Sequence, residues 1–171
     1  MLSSTYSAGL CGIEGFVVTV ECNQRNNLQG FDLVGLPDLA VKEAKERVYT
    51  ACSNSGYPFP YSRIVVNLAP ADRKKEGSAY DVAILLGIMK CAGIVKSDLD
   101  LSKKCFVGEL SLSGEVRPAP RSEQRISEAE KLGFKRILIP KHNLQGLDTK
   151  KMKIEVIPVR KVEEAFRALF G

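Results

Sequence analysis

The stretch RKKEGSAYDVAILLGI, residues 73–88, joins a basic run to a long apolar segment, and it decides the fold class. Apolar residues such as Ala79, Val82, Leu85 and Met89 fall on nearly every side of a helix drawn from Ser78 onward. A helix that is apolar all round is buried on most of its sides. The sequence therefore predicts a central helix covered by other elements and entered through a basic loop that contains a glycine.

Strands and helices are predicted on both sides of this helix. β-Branched and aromatic residues favour strands at 14–23, 30–36, 63–70, 135–140 and 153–159, and a strand, turn and return strand at 104–118. Apolar steps of three and four residues favour amphipathic helices at 38–56, 121–134 and 160–170, with Arg47 on the polar face of the first. We expect one mixed α/β or α+β domain spanning residues 1–171.

Composition restricts the function classes. Lys and Arg number 25 against 20 Asp and Glu, a net charge of +5, which permits a polyanionic partner without demanding one. The five cysteines form no CxxC pair and His142 is the only histidine, so no metal site is expected. We expect a cytoplasmic protein with reduced thiols and no membrane partner, because no secretion signal or spanning segment is recognisable.

The loop before the central helix invites two chemical interpretations. A phosphate-binding P-loop needs several glycines followed by Lys and Ser or Thr, whereas Lys74 and Lys75 here precede the single Gly77. Ser78 could act as a nucleophile only with a base, and solvated lysines stay protonated. The favoured interpretation makes Ser78 the helix cap, its hydroxyl accepting from an N–H of the first turn. The alternating charges of Asp72, Glu76 and Asp81 indicate local ion pairing more than a Mg²⁺ site.

Basic residues fall into two groups that could contact a partner. They could be ordinary solvated charges, or they could follow the phosphates of a nucleic acid. No aromatic residue is interleaved with them, so a platform for stacking single-stranded bases is poorly supported. The candidate contact residues are Arg73, Lys74 and Lys75 in the first group and Arg117, Arg121 and Arg125 in the second.

Two parts of the chain resemble a known family. GFDLVGLPD (30–38), VKEAKERV (41–48) and VNLAPADRKKEG (66–77) resemble the N-terminal domain of magnesium-chelatase-like AAA+ ATPases, the family that includes competence protein ComM. Residues 106–143, from FVGELSLSGEVRP to PKHN, resemble the same domain and also the Lon-protease-like domain of recombination protein RadA. The resemblance implies the ribosomal protein S5 domain 2-like fold, which the Lon proteolytic domain shares.

The resemblance to Lon also implies a former protease site. In Lon-type proteases a serine at the start of a buried helix works with a lysine in the helix after the hairpin. Ungapped counting from the motifs puts Ala79 at the serine position and Glu123 at the lysine position. Alanine offers no nucleophile and glutamate no amine base, so the site is expected to be degenerate. A Ser–Lys peptidase that uses Ser78 with a lysine elsewhere stays as an alternative.

The family's ATPase chemistry is expected outside this chain. Complete members carry a AAA+ motor with Walker motifs, and no G-x-x-x-x-G-K-[ST] occurs here, so ATP and Mg²⁺ are expected only in that missing motor. The resemblance implies a non-catalytic DNA-binding or subunit-assembly domain of an oligomeric ring that acts on DNA in competence or recombination. A subunit for metal insertion into a porphyrin is a third possibility, although no residues form a metal, porphyrin or small-molecule site.

Overall fold

The computed structural model describes residues 2–95 and 100–168, and its centre is the predicted apolar helix, α3 (Asp81–Cys91). Every residue of α3 except Lys90 is buried. The helix packs on β1 (Leu2–Cys11) and β2 (Glu14–Arg25), and its apolar side chains join one large core with residues of the neighbouring sheet and of helix α2 (Ala44–Asn54). The prediction of a covered central helix is confirmed.

A four-stranded sheet provides the surface on which α3 packs. It contains β1 (Leu2–Cys11), β2 (Glu14–Arg25), β3 (Gly30–Val34) and β4 (Arg63–Ala69) in the order β1-β2-β4-β3. The β1–β2 and β2–β4 pairs are antiparallel and β3 runs parallel to β4. Alternate residues of β2 and β4 are buried, as expected for strands with one face on a core.

Strand β1 was not predicted from the sequence, and its composition explains why. Its inward positions include Ser3, Thr5 and Ser7, which give no apolar alternation. All three are buried, and their hydroxyls donate to the carbonyl oxygens of Gly87, Ala83 and Phe106, each at 2.7 Å. Because each buried hydroxyl has an acceptor, the strand can face α3 without apolar side chains at these positions.

A second sheet is parallel and has the order β5-β8-β9, from β5 (Lys104–Phe106), β8 (Arg136–Pro140) and β9 (Glu155–Val159). The predicted strand and return strand at 104–118 consist of β5 and a separate small hairpin, β6 (Glu109–Leu110) with β7 (Val116–Arg117). Short 3-10 helices lie at Leu101–Lys103, Lys141–Leu144 and Thr149–Lys151.

The remaining helices follow the predicted order with different bounds. The helix predicted at 38–56 consists of α1 (Leu39–Lys42) and α2 (Ala44–Asn54), with Glu43 between them. Helix α4 covers Ser122–Lys131 and α5 covers Val162–Arg167. The final part of the helix predicted at 160–170 lies outside the described residues. The architecture is a mixed α/β arrangement with several small sheets, and no helix in its described parts is long and apolar enough to span a membrane.

Candidate functional site

Two motifs that are far apart in the sequence lie side by side in the structure. The residues after β3, Gly35–Asp38, run beside the basic loop that precedes α3. The N–H of Lys75 donates to the carbonyl of Leu36 at 3.0 Å, and the N–H of Asp38 donates to the carbonyl of Lys75 at 2.9 Å. We call this pair of segments, residues 35–38 and 70–78, the loop lock.

The carboxylate of Asp38 connects both halves of the loop lock. One oxygen, Oδ1, accepts from the N–H of Val41 at 2.8 Å and caps α1. The other, Oδ2, accepts from the N–H of Gly77 at 3.1 Å. Asp38 therefore fixes the loop relative to α1. Its position before a helix predicts the cap, but not the bond to Gly77.

Lys75 lies inside the loop lock, and the prediction that it contacts a partner is wrong. Its side chain is completely buried, and its ammonium donates to the carbonyl of Gly35 at 2.8 Å and to that of Pro70. Burial lowers the pKa of Lys75, and the nearby Asp72 carboxylate opposes that shift. Nothing in the sequence distinguishes Lys75 from Lys74. In the folded loop the Lys75 side chain is buried, whereas the Lys74 side chain is exposed.

Ser78 does not cap the central helix, so that prediction is also wrong. The N-cap position of α3 is Tyr80, and no side chain caps it. Ser78 contributes only its carbonyl, which accepts from the N–H of Asp81 at 3.4 Å. The N–H of Val82 instead donates to the carbonyl of Gly108 at 3.2 Å. The carbonyl of Gly108, in a neighbouring loop, therefore accepts the hydrogen bond that a capping side chain would otherwise accept.

The two positions assigned to a degenerate protease site carry no catalytic pair. Ala79 is buried in a small apolar cluster with residues of β5 and β8, whereas Glu123 is exposed in the first turn of α4. Within the described part of the chain, no hydrogen bond joins Ser78 to a lysine, and the ammonium of Lys75 is held by the two carbonyls above. The arrangement presents no activated nucleophile at these positions.

Arg125 is a structural residue, which corrects its assignment as a contact residue. It is 6% exposed, and its guanidinium donates to the carbonyls of Ala8 at 2.8 Å and Pro120 at 3.1 Å. The Tyr80 side chain lies close enough to interact with this guanidinium. Burial lowers the pKa of Arg125, and the interaction with Tyr80 opposes that shift. Arg125 therefore joins α4 to β1 and to the start of α3.

The other four candidate basic residues are exposed: Arg73, Lys74, Arg117 and Arg121. The guanidinium of Arg73 lies 4.7 Å from the centre of the Phe16 ring, and Arg121 donates to the carbonyl of Gly12. Gly12 lies in the turn between β1 and β2, and Phe16 lies near the start of β2. The structure thus brings one member of each predicted basic group to the same end of this hairpin.

Asp81 forms an ion pair, but its partner is Arg47 of α2 and not the local charge that the sequence predicted. Arg47 donates to Asp81 twice, from Nε at 2.6 Å and from Nη2 at 3.0 Å, and the N–H of Leu110 donates to Asp81 at 3.0 Å. Burial raises the pKa of the Asp81 carboxyl, while the hydrogen bonds from Arg47 and Leu110 oppose the rise. The pKa of Arg47 is raised by its hydrogen bond to Asp81. In the sequence, the feature that could have indicated this pair is the position of Asp81, a charged residue directly before an apolar run.

The described residues provide no evident metal centre. Among residues 2–95 and 100–168, no three His, Cys, Asp or Glu side chains gather in a way that could hold a metal ion. Four of the five cysteines are buried, and burial raises the pKa of the Cys22 and Cys105 thiols. Thiols in such surroundings are poor ligands and nucleophiles.

The geometry defines a class of protein: a mixed α/β domain with a loop lock at the entrance to its central helix and exposed basic residues around it. A family model described as subunit ChlI of Mg-chelatase matches residues 20–143, more than half of the chain. The chain therefore belongs to this Mg-chelatase subunit family. The matched range contains both segments of the loop lock.

Individual relatives agree with the family assignment. The chain is 38% identical over 142 residues to the protein YifB of Escherichia coli K12 and to competence protein ComM of Haemophilus influenzae. Each match covers 83% of this chain and 28% of the relative, so the chain spans less than a third of their length. It is also 46% identical to DNA repair protein RadA of Bacillus subtilis over 98 residues, 57% of this chain and 20% of that protein.

Proposed function

We propose that this chain is a non-catalytic DNA-binding and subunit-assembly domain of a magnesium-chelatase-like AAA+ ATPase that acts on DNA in competence or recombination. The observation that carries the proposal is the division of the basic residues. Two of the six are buried and hold the fold, whereas Arg73, Lys74, Arg117 and Arg121 remain exposed. The names of two relatives, a competence protein and a DNA repair protein, agree with such a role.

The non-catalytic part of the proposal is supported by the degenerate site. A buried methyl group at Ala79 and a carboxylate at Glu123 cannot supply the nucleophile and amine base of a Ser–Lys peptidase. We therefore rank a peptidase that uses Ser78 below an accessory domain. A role in metal insertion ranks last, because no metal-binding cluster is present among the described residues.

The finer features of the proposal follow from the family. We infer the ribosomal protein S5 domain 2-like fold, a cytoplasmic location, and ATP and Mg²⁺ sites in a separate motor module of the complete protein. A ring would present several copies of each basic surface. Contacts that are weak in one domain could then combine into useful affinity for DNA.

The DNA contact is tested by neutralising the exposed basic residues near the β1–β2 turn. The triple variant Arg73→Gln, Lys74→Gln, Arg121→Gln is expected to bind a fluorescein-labelled duplex more weakly than the unchanged chain. The slope of log affinity against log salt is expected to fall by roughly one for each phosphate that the variant no longer neutralises. Fluorescence anisotropy at several salt concentrations measures both quantities.

A matched control removes the same charge elsewhere. The exposed residues Lys150, Lys151 and Lys153 offer a triple glutamine variant with the same net charge as the test variant. It is expected to keep most of the affinity. DNA binding that is absent at low salt, or that falls equally in both variants, would show that the basic surface does not recognise DNA.

The assembly part of the proposal is supported by exposed apolar residues around β3. Strand β3 lies at the edge of its sheet, paired on one side with β4. Leu28, Val34, Leu36 and Leu39 are exposed by 60, 45, 54 and 72%. An open strand edge with several exposed apolar side chains favours contact with another chain. We assign the subunit contact to this segment, residues 28–39.

Polar substitutions in this segment are expected to weaken self-association. The double variant Leu28→Ser, Leu39→Ser removes two exposed apolar side chains and should shift sedimentation velocity profiles toward the monomer. Leu112→Ser, at a side chain that is 54% exposed on the β6–β7 hairpin, is the control and should leave the profile unchanged. An unchanged chain that stays monomeric at all concentrations would contradict the assignment.

A further inference from the structure

A basic cleft beside strand β7 shares no lining residue with the loop lock. Its volume is about 520 Å³, and it is formed by β7, the 3-10 helix at Lys141–Leu144 and the connection between β9 and α5. The ionisable residues that line it are Glu115, Arg117, His142, Arg160 and Lys161. Of these, only Arg117 belongs to the basic groups recognised from the sequence.

Among the described residues the cations of this cleft form no ion pair, although the Glu164 carboxylate accepts from the backbone N–H of Arg160 at 3.2 Å. These cations are the guanidinium groups of Arg117 and Arg160 and the ammonium of Lys161. The single carboxylate in the lining is that of Glu115. Three cations that face one concave surface create a positive potential, which a bound anion would relieve.

The backbone on both sides of the cleft is held in place by hydrogen bonds. On one side, the N–H of Val116 donates to the carbonyl of Arg160 at 2.7 Å, and Glu115 and Lys161 form an antiparallel bridge. On the other side, the amide of Asn143 bonds to both backbone groups of Ala119, at 2.8 and 3.2 Å. The backbone segments that carry the cations are therefore fixed before any ligand arrives, which reduces the ordering cost of binding.

We propose that this cleft binds a phosphate group through Arg117, Arg160 and Lys161, with His142 as a further hydrogen-bond donor. The planar guanidinium fork matches two phosphate oxygens, and an ammonium adds a point charge. The volume lies in the range of roughly 300–1,000 Å³ that is usual for small-molecule sites. The phosphate belongs either to a small phosphorylated molecule or to the backbone of a nucleic acid. The site does not require the DNA contact proposed for Arg73, Lys74 and Arg121.

The test titrates the chain with pyrophosphate by calorimetry and, separately, with a labelled single-stranded oligonucleotide by anisotropy. In the double variant Arg160→Gln, Lys161→Gln, the dissociation constant for the probe is expected to rise about tenfold or more, because two charge-assisted hydrogen bonds to phosphate are removed. Arg117→Gln provides a second, independent variant. The control Lys150→Gln, Lys153→Gln, with the same net charge as the double variant, should change the constant less than about twofold, since both side chains are solvated surface charges.

The two arms separate the possible sources of the phosphate. Pyrophosphate binding that depends on Arg160 and Lys161 assigns the cleft to a small phosphorylated molecule, whereas a dependence seen only with the oligonucleotide assigns it to nucleic acid. Failure to bind either probe, or equal losses of affinity in the cleft and control variants, overturns the proposal. The variant of Arg73, Lys74 and Arg121 keeps the cleft intact, so its result tests the proposed function separately.

Discussion

Replacing Arg47 by methionine is expected to lower the free energy of unfolding by about 3–5 kcal/mol, because it leaves a buried carboxylate without its charge partner. The Asp81 side chain is 1% exposed and receives two hydrogen bonds from Arg47. Arg47 also donates to the carbonyl of Ala40 at 2.8 Å, so the same change removes a link between α1 and α2. Urea unfolding followed by circular dichroism measures the loss of stability.

The loss of stability should depend on pH in a defined direction. Burial raises the folded-state pKa of Asp81, so ionising this carboxyl costs stability as the pH rises through its unfolded and then its folded pKa. Without Arg47 the opposing interaction is gone and the cost grows. The destabilisation by Arg47→Met should therefore be larger at neutral pH than in mildly acidic buffer.

An exposed ion pair supplies the control for Arg47. Arg63 and Asp32 form an ion pair whose side chains are exposed by 42 and 46%. Arg63→Met should cost less than about 1 kcal/mol, since solvent screens such pairs. Equal losses of stability in the two methionine variants would contradict a special role for the buried pair.

Replacing Gly35 by alanine is expected to cost about 2–5 kcal/mol, the second large effect, as the sum of backbone strain and overpacking. A Cβ at this position would lie 2.3 Å from the carbonyl oxygen of Leu68 and 2.9 Å from its carbon, both backbone atoms of β4. The φ angle of Gly35 is +106°, which strains any residue with a side chain. Strain supplies about 1–2 kcal/mol of the expected cost and overpacking about 1–3 kcal/mol.

Gly56 separates these two contributions. Its φ is +81°, but a Cβ there would meet nothing within 4 Å. Gly56→Ala should therefore show the conformational cost alone, about 1–2 kcal/mol. Thermal unfolding of both variants measures the difference. If both alanines cost the same, the close approach of Gly35 to β4 does not contribute to stability.

Most of the core could be predicted from the sequence because it follows periodic patterns. The central helix, strands β2 and β4, and the buried positions Val41, Val48 and Ala51 all lie where apolar spacing places them. Strand β1 could not be predicted in this way. Its burial depends on carbonyl acceptors supplied by α3 and β5, and the local sequence carries no sign of them.

The candidate site was predictable only in part, because the burial of its charged side chains also depends on distant segments of the chain. The resemblance to the family located the loop and the two positions that lack catalytic groups. Which basic residues face solvent depends on whether the fold directs the side chain inward, since an acceptor alone does not bury a charge: Arg121 also donates to a carbonyl, that of Gly12, and stays exposed. Lys75 and Arg125 meet backbone carbonyls and are buried, whereas Lys74 and Arg121 remain exposed.

The amino-acid sequence by itself determined the family, the mixed α/β class and the apolar helix at the centre, because these depend on local patterns and on motif identity. The tertiary structure alone decided the roles of the charged residues. Burying a charge is costly unless partners are in place, and those partners come from distant segments: Gly35 for Lys75, Ala8 for Arg125 and Arg47 for Asp81.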